Sequence, residues 1–185
     1  MIEKLCGIDE AGRGPFAGPL VVAGVLLKKD IDGLNDSKKL TEKKRESLFD
    51  TIKENSIFHI VFSSNQEIDE FGLSICLQNS IKEIMKTIKT TDYLMDGNTT
   101  FGIENLECLI KADDKIEEVS AASILAKVSR DRYMKEIASK YPQYGFEKHK
   151  GYGTKAHTDA IKIYGYSELH RKSFKIKALE DIDIN

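Results

Sequence analysis

Two adjacent carboxylic acids, Asp9 and Glu10, directly follow a short apolar segment near the start of the chain. Two later acids, Asp96 and Asp113, also follow apolar segments. Carboxylates at several strand ends, brought together by the fold, can build a site for a hard divalent cation such as Mg²⁺, which binds oxygen ligands and keeps water and phosphate in its shell. These four acids are therefore candidate metal ligands and catalytic residues.

An ordinary structural role is the alternative for each acid. Asp96 opens an Asp-Gly-Asn turn signal, and an Asp at a strand end is often only a turn or cap residue. The Asp9-Glu10 pair is harder to explain in this way, because charges beside a buried strand need compensation. Neighbouring side chains on a regular strand point to opposite faces. Both acids reach one site only if the backbone twists there, which flanking Gly7 and Gly12 permit.

The elements that must position these acids follow from the hydrophobic pattern. Apolar and β-branched segments predict five strands, and helical spacing with capping residues predicts five helices. The predicted order of elements is three strands in succession, then a helix–strand unit and a strand–helix unit. This order indicates a mixed sheet with helices packed on it, and it fits a purely alternating parallel fold less well. The predicted strands are Leu5–Ile8, Leu20–Leu27, Ile57–Phe62, Tyr93–Met95 and Leu106–Ile110, and the predicted helices are Thr41–Asn55, Leu73–Ile88, Ser120–Ser139, Thr154–Tyr164 and Glu168–Phe174.

The composition fits one globular domain over residues 1–185, with 41% apolar and 31% charged residues. No apolar run approaches the roughly 18 residues that cross a bilayer, and the N-terminus lacks the layout of a signal peptide. We therefore expect a cytoplasmic protein with no membrane partner. Three widely spaced cysteines form no CxxC pair, which argues against a disulfide framework or a zinc knuckle.

Charge is divided unevenly along the chain. Residues 1–120 contain 15 Lys and Arg against 22 Asp and Glu, a net charge of −7, whereas residues 121–177 contain 13 against 5, a net charge of +8. An acidic first part followed by a basic part suits a carboxylate site beside a phosphate-binding surface. The alternative is that helix surfaces simply carry Lys and Arg.

Six blocks of the sequence resemble, in order, the motifs of the ribonuclease HII family. Six ordered blocks are far more specific than any one of them, and together they span essentially the whole chain. The blocks are GIDEAGRGPFAGPL at 7–20, LNDSKKL at 34–40, MDGN at 95–98, KAD at 111–113 with SAASILAKV at 120–128, HKGYGT at 149–154 and HRKSF at 170–174.

This resemblance implies a fold and a set of ligands. The fold is an α/β, ribonuclease H-like one: a mixed five-stranded sheet flanked by helices, with a helical C-terminal part over about residues 140–185 that contributes to substrate binding. The implied metal ligands are Asp9, Glu10, Asp96 and Asp113. Asp113 is favoured over Asp114 because the step to the SAAS block starts from Asp113 in the family's spacing.

The resemblance also implies how a substrate is recognised. In the family, the loop that is here Gly12-Arg13-Gly14 contacts the 2′-hydroxyl and backbone of the ribonucleotide, and the tyrosine that is here Tyr152 packs at the junction between RNA and DNA. Taken alone, the glycines also suit a tight turn, and Tyr152 reads as a surface-loop tyrosine. Four more side chains suit substrate contacts but equally suit a solvated helix or an internal contact: Lys38, Lys39, Ser123 and Lys127.

The expected reaction is hydrolysis of a phosphodiester at a ribonucleotide with Mg²⁺ or Mn²⁺. In such two-metal sites one ion activates water and the other stabilises the leaving oxygen, with the ions about 3.5–4 Å apart. The expected substrates are the RNA strand of RNA–DNA hybrids and single ribonucleotides in duplex DNA, cut on their 5′ side to leave 5′-phosphate and 3′-hydroxyl ends. This activity would remove ribonucleotides and RNA primers from DNA, and we expect the protein to act as a monomer. Two alternatives stay open: a ribonuclease HIII-like hybrid nuclease, and a non-catalytic hybrid-binding module.

Overall fold

Five strands form a single mixed sheet in a computed structural model that describes residues 4–34 and 40–179. The spatial order is β3-β2-β1-β4-β5. The β1/β2 and β2/β3 pairs are antiparallel, and the β1/β4 and β4/β5 pairs are parallel. The predicted mixed five-stranded sheet is confirmed. The strands are β1 (Leu5–Ala11), β2 (Leu20–Leu27), β3 (Ser56–Ser63), β4 (Asp92–Asp96) and β5 (Leu106–Leu109).

Six α-helices and several short 3₁₀ turns accompany the sheet in the described ranges. Local capping explains where two of the helices begin: the Thr41 hydroxyl accepts a hydrogen bond from the Lys44 N–H, and Ser64 and Glu67 form a capping box. The helices are α1 (Glu42–Glu54), α2 (Asn65–Phe71), α3 (Leu73–Thr87), α4 (Glu117–Ala138), α5 (Phe146–His149) and α6 (Lys155–Tyr164), and the 3₁₀ turns are Ala112–Asp114, Pro142–Tyr144 and Lys177–Leu179.

Strand β2 is apolar throughout because both of its faces are covered. Alternate residues such as Val21 and Ala23 join the core under α1 and α4. Their neighbours, such as Leu20 and Val22, join the core under α3. A strand buried on both faces carries a continuous apolar run instead of an alternating one, as the sequence shows here.

Helix α4 lies unusually close to β1, and small residues make this possible. A Cβ atom added at Gly7 would lie 2.2 Å from the carbonyl carbon of Glu118, so any side chain there would force the helix away from the strand. On the helix, Ala121, Ala122 and Ala126 are all fully buried. This contact places the N-terminal part of α4 over β1, with Ser123 near Asp9.

The C-terminal part differs from its prediction. The helix predicted over Glu168–Phe174 is wrong: this segment forms turns around an isolated antiparallel bridge between His170 and Ala17. The side chains of His170 and Arg171 are both buried and bond to distant groups, and these long-range bonds outweigh local helical spacing. Helices α2 and α5 were not predicted. No helix in the described part of the chain is long and apolar enough to span a membrane.

Candidate active site

Parallel pairing of β1 and β4 brings Asp9 and Asp96 side by side. Ile8 and Met95 are register partners in these two strands, and each is followed directly by one of the acids. Ile8 and Met95 both belong to the core under α3. Because side chains alternate along a strand, Asp9 and Asp96 point to the opposite face, toward α4.

Asp113 reaches the same place from a 3₁₀ turn after β5. The turn begins after Lys111, which has a left-handed backbone (φ 58°). The Ala112 N–H donates a hydrogen bond of 2.9 Å to Asp96 Oδ1, and this bond ties the turn to the end of β4. One carboxylate oxygen from each of Asp9, Asp96 and Asp113 lies within 4.8 Å of the others. Three of the four predicted acids therefore form one cluster.

Glu10 stands beside this cluster and is not a member of it. Its Oε1 accepts a hydrogen bond of 3.2 Å from Arg13 Nη1. Its Oε2 is buried and accepts no hydrogen bond from the described residues. A buried carboxylate oxygen without a donor is costly, so Glu10 retains one oxygen that could bind a cation.

Burial disfavours the charged forms of Asp9 and Glu10. Burial and then the charge of Glu10 raise the pKa of Asp9 well above its usual range. Burial also raises the pKa of Glu10, although Arg13 partly offsets the effect. The Ser123 side chain on α4 partly offsets this rise in the pKa of Asp9, so Ser123 lies next to the cluster. Clustered, buried carboxylates of this kind attract positive charge.

A cavity of about 430 Å³ opens next to the acids. It brings together most of the predicted substrate-binding residues and one that was not predicted, Arg45 of α1. Arg45 was missed because it lies in a run of charged residues that also suits a solvated helix face. Lys38 and Lys39 lie outside the described residues. The lining includes Glu10, Gly12, Arg13, Gly14, Arg45, Ser123, Lys127 and Tyr152.

Tyr152 lines this cavity, and two cations lie near its ring. Its side chain is 41% exposed, the Arg130 guanidinium lies 5.5 Å from the ring centroid, and Lys127 Nζ lies 6.0 Å away. Lys127 also forms an ion pair of 2.7 Å with Asp131. The ring is thus held over positive charge while leaving exposed surface on which a base or sugar can stack.

The two glycines of the Gly12-Arg13-Gly14 loop have different surroundings. Gly12 has φ 96°, and a Cβ atom there would lie 2.3 Å from Arg130 Nε. A Cβ atom on Gly14 would meet nothing within 4 Å. The fold therefore requires glycine at the first position. At the second position, nothing in the protein itself excludes a side chain.

Two buried histidines hold the backbone of the Tyr152 loop. The Ser167 N–H donates to His170 Nδ1 at 2.8 Å, so a neutral His170 carries its proton on Nε2. His170 Nε2 then donates to His157 Nε2 at 3.0 Å, and His157 Nδ1 donates to the Tyr152 carbonyl at 2.9 Å. We call this chain, from Ser167 through His170 and His157 to Tyr152, the histidine relay.

Burial keeps the relay uncharged. It lowers the pKa of both His157 and His170 to about 4, helped by His149, which stacks on His157. Both rings are therefore neutral at neutral pH, as their hydrogen bonds require.

Two fully buried arginines support the loop that carries Gly12. Arg171 donates to the carbonyls of Gly12, Arg13 and Gly18, and Arg130 donates to those of Ala17, Pro19 and Lys150. Neither arginine was predicted from the sequence to have a functional role. Arg171 does follow His170 within the sixth motif block, and this was the one available signal.

Comparison with known proteins identifies the family of this chain. Residues 6–177 match the family model for ribonuclease HII. Ribonuclease HII of Aliarcobacter butzleri is 64% identical over 185 residues, covering 99% of this chain and 96% of that one. The ribonuclease HII of Archaeoglobus fulgidus, solved in complex with PCNA, has a TM-score of 0.81 at 29% identity and covers 94% of this chain and 96% of its own.

A more distant likeness bears on the fold alone. Bst-RNase HIII, solved in complex with Mn²⁺, has a TM-score of 0.70 at 18% identity and covers 92% of this chain and 67% of its own. The predicted ribonuclease H-like fold is confirmed by these likenesses. With the family match extending over nearly the whole sequence, the chain belongs to the ribonuclease HII family and is a metal-dependent endonuclease of the ribonuclease H type.

Proposed function

We propose that this enzyme cuts the RNA strand of RNA–DNA hybrids and cuts on the 5′ side of single ribonucleotides within duplex DNA, leaving 5′-phosphate and 3′-hydroxyl ends. One observation carries the proposal. The cluster of Asp9, Asp96 and Asp113 adjoins, through Ser123, a cavity lined by Gly14 and Tyr152. A cation site therefore lies beside groups suited to contact a nucleotide.

Asp9, Asp96 and Asp113 would hold the metal, with Glu10 supplying its unpaired oxygen. The donor set is all carboxylate, which suits hard cations such as Mg²⁺ or Mn²⁺. When bound, a pair of such ions supplies an activated water and stabilises the leaving 3′-oxygen. The raised pKa of Asp9 and the buried Oε2 of Glu10 both support this fit, because a cation would relieve each.

The surrounding residues orient the nucleic acid. The exposed Arg13-Gly14 segment can approach the sugar–phosphate backbone closely, and the 2′-hydroxyl is the group that distinguishes RNA from DNA at such a site. Tyr152 offers a stacking surface that does not depend on base identity. Lys127 can contact phosphate, a contact that positions the duplex without reading sequence. We assign Lys38 and Lys39 the same phosphate-contacting role.

The experiment uses a DNA duplex with one embedded ribonucleotide, incubated with Mg²⁺ and with Mn²⁺ in turn. The proposal expects a single cut on the 5′ side of the ribonucleotide, and no such cut with Asp9→Asn. A fully deoxy duplex of the same sequence is the matched control and should stay intact. If the wild-type enzyme leaves the ribonucleotide duplex uncut but cleaves a long hybrid, a ribonuclease HIII-like specificity replaces the proposal.

A non-catalytic hybrid-binding module is the remaining alternative. The clustering of all three aspartates speaks against it, because a site that only binds nucleic acid gains nothing from concentrated negative charge. Binding without cleavage in either metal would favour it. We further propose that residues 1–185 act as one domain and as a monomer, and that the activity serves to remove ribonucleotides and RNA primers from DNA. Light scattering of the isolated protein tests the monomer.

A further inference from the structure

Arg171 donates one hydrogen bond from each of its three nitrogens to a backbone carbonyl of a single loop. Its Nε donates to Gly18 at 3.0 Å, its Nη1 to Arg13 at 3.1 Å and its Nη2 to Gly12 at 2.6 Å. The side chain is fully buried, and none of the ion pairs between described residues includes it. A rigid guanidinium fork can satisfy three carbonyls at once in a way that a lysine cannot.

These bonds fix the direction of two amide groups. In a trans peptide the C=O and the following N–H point in opposite directions, and the described chain contains no cis peptide. Because the Gly12 and Arg13 carbonyls point at Arg171, the N–H groups of Arg13 and Gly14 point away from it. Arg13 and Gly14 are exposed and line the cavity.

The two amides are available for a ligand. Neither makes a hydrogen bond to another described residue. Two successive N–H groups pointing the same way form a concave pair that binds an oxygen acceptor. Behind them, burial and the neighbouring Arg130 lower the pKa of Arg171 to about 9, so the guanidinium remains charged at neutral pH and adds positive potential.

We propose that Arg171 is a positioning residue for ribonucleotide recognition: it aims the Arg13 and Gly14 amides at the 2′-oxygen of the substrate without contacting the substrate itself. This inference rests on the function proposed above. Arg130 provides an internal comparison. It is an equally buried arginine with three carbonyl partners in this region, but those partners are Ala17, Pro19 and Lys150. It therefore leaves the Gly12 and Arg13 carbonyls to Arg171.

The test measures preference for a ribonucleotide in binding. The affinities for a duplex with one ribonucleotide and for the same all-DNA duplex are measured by fluorescence anisotropy in EDTA, where cleavage does not occur. Wild type should prefer the ribonucleotide duplex. Arg171→Lys should reduce that preference about tenfold, the value of one or two amide hydrogen bonds. Arg130→Lys is the matched control: it weakens binding to both duplexes while keeping the ratio.

Each outcome decides a different question. If Arg171→Lys lowers both affinities and leaves the wild-type ratio unchanged, Arg171 is only a structural residue and the inference is wrong. If wild type itself shows no preference and does not cut the ribonucleotide duplex with metal, the proposed function fails regardless of Arg171.

A second measurement needs no substitution, in case Arg171→Lys does not fold. In ¹⁵N-labelled wild type, the amide signals of Arg13 and Gly14 should shift with the ribonucleotide duplex and not with all-DNA duplex. Equal shifts with both would overturn the assignment of these amides to the 2′-oxygen.

Discussion

Acid should destabilise this protein through the histidine relay. His157 and His170 have folded-state pKa values of about 4, against about 6.5 in an unfolded chain. Between these values the unfolded chain binds more protons than the folded one, so stability falls as pH falls. The stability supplied by the neutral relay is fully present above about pH 6.5 and is lost as the pH falls toward about 4.

The expected loss of folding stability is large relative to the total stability of a domain. From these pKa values, the coupling between protonation and folding predicts that each histidine lowers the free energy of unfolding by about 2 kcal/mol at about pH 5 relative to about pH 8. The pair therefore contributes a loss of about 4 kcal/mol. Domains of this size are stable by only roughly 5–15 kcal/mol, so the effect should be visible in an ordinary unfolding curve.

Urea unfolding at both pH values, in EDTA, measures this loss. The double variant His157→Asn, His170→Asn starts less stable, but its drop from pH 8 to pH 5 should be about 4 kcal/mol smaller than that of wild type. Burial raises the pKa of Asp9 and Glu10, which favours the folded state as the pH falls. Wild type and variant share that contribution, so it cancels in the comparison.

His59 provides the matched control, since it pairs with Glu83 at the surface and lies outside the relay. His59→Gln should therefore lose as much stability between the two pH values as wild type does, including the loss of about 4 kcal/mol from His157 and His170. The reasoning is refuted if the double variant loses as much stability as wild type between the two pH values.

Three further predictions concern the active site. Gly14→Ala should leave thermal stability nearly unchanged but reduce cleavage at least tenfold, because its Cβ atom meets only the open cavity. Gly12→Ala should instead lower the melting temperature, because Gly12 has a positive φ and a Cβ atom there would lie 2.3 Å from Arg130 Nε. Tyr152→Ala should lower cleavage about tenfold or more through lost stacking, worth about 1–3 kcal/mol per base, whereas Tyr152→Phe should retain most activity in the same assay. Mn²⁺ should raise the melting temperature of wild type, because a ligand that binds only the folded state stabilises that state. Asp96→Asn should abolish this increase in a thermal scan.

The clustering of Asp9 and Asp96 was predictable from the sequence because it depends on local features. Asp9 and Asp96 each follow an apolar strand, and alternation along parallel strands then places them together. Asp113 could not be separated from Asp114 by chemistry, since both follow the same strand; the resemblance to a known family decided it. Glu10 was predicted as a fourth ligand, and the structure places its carboxylate beside the three aspartates, with one buried oxygen that accepts no hydrogen bond from the described residues.

The polar groups that support the site were not predictable in the same way. Arg130, Arg171, His157 and His170 are among the few buried polar side chains, but their partners are mostly carbonyls and rings far away in the sequence. Local spacing therefore gave no sign of their burial. The same long-range bonds explain the wrong helix at Glu168–Phe174, where tertiary contacts override a helical pattern.

The position of Arg171 along the chain has a consequence for synthesis. During translation the three clustered aspartates and the Gly12 loop emerge early, whereas His157, His170 and Arg171 emerge more than 40 residues after Asp113. Because a domain folds as a unit, the Gly12 and Arg13 carbonyls gain their Arg171 partner only after this late segment has left the ribosome. If Arg171 acts as proposed, selectivity for ribonucleotides depends on the last of the site residues to be synthesised.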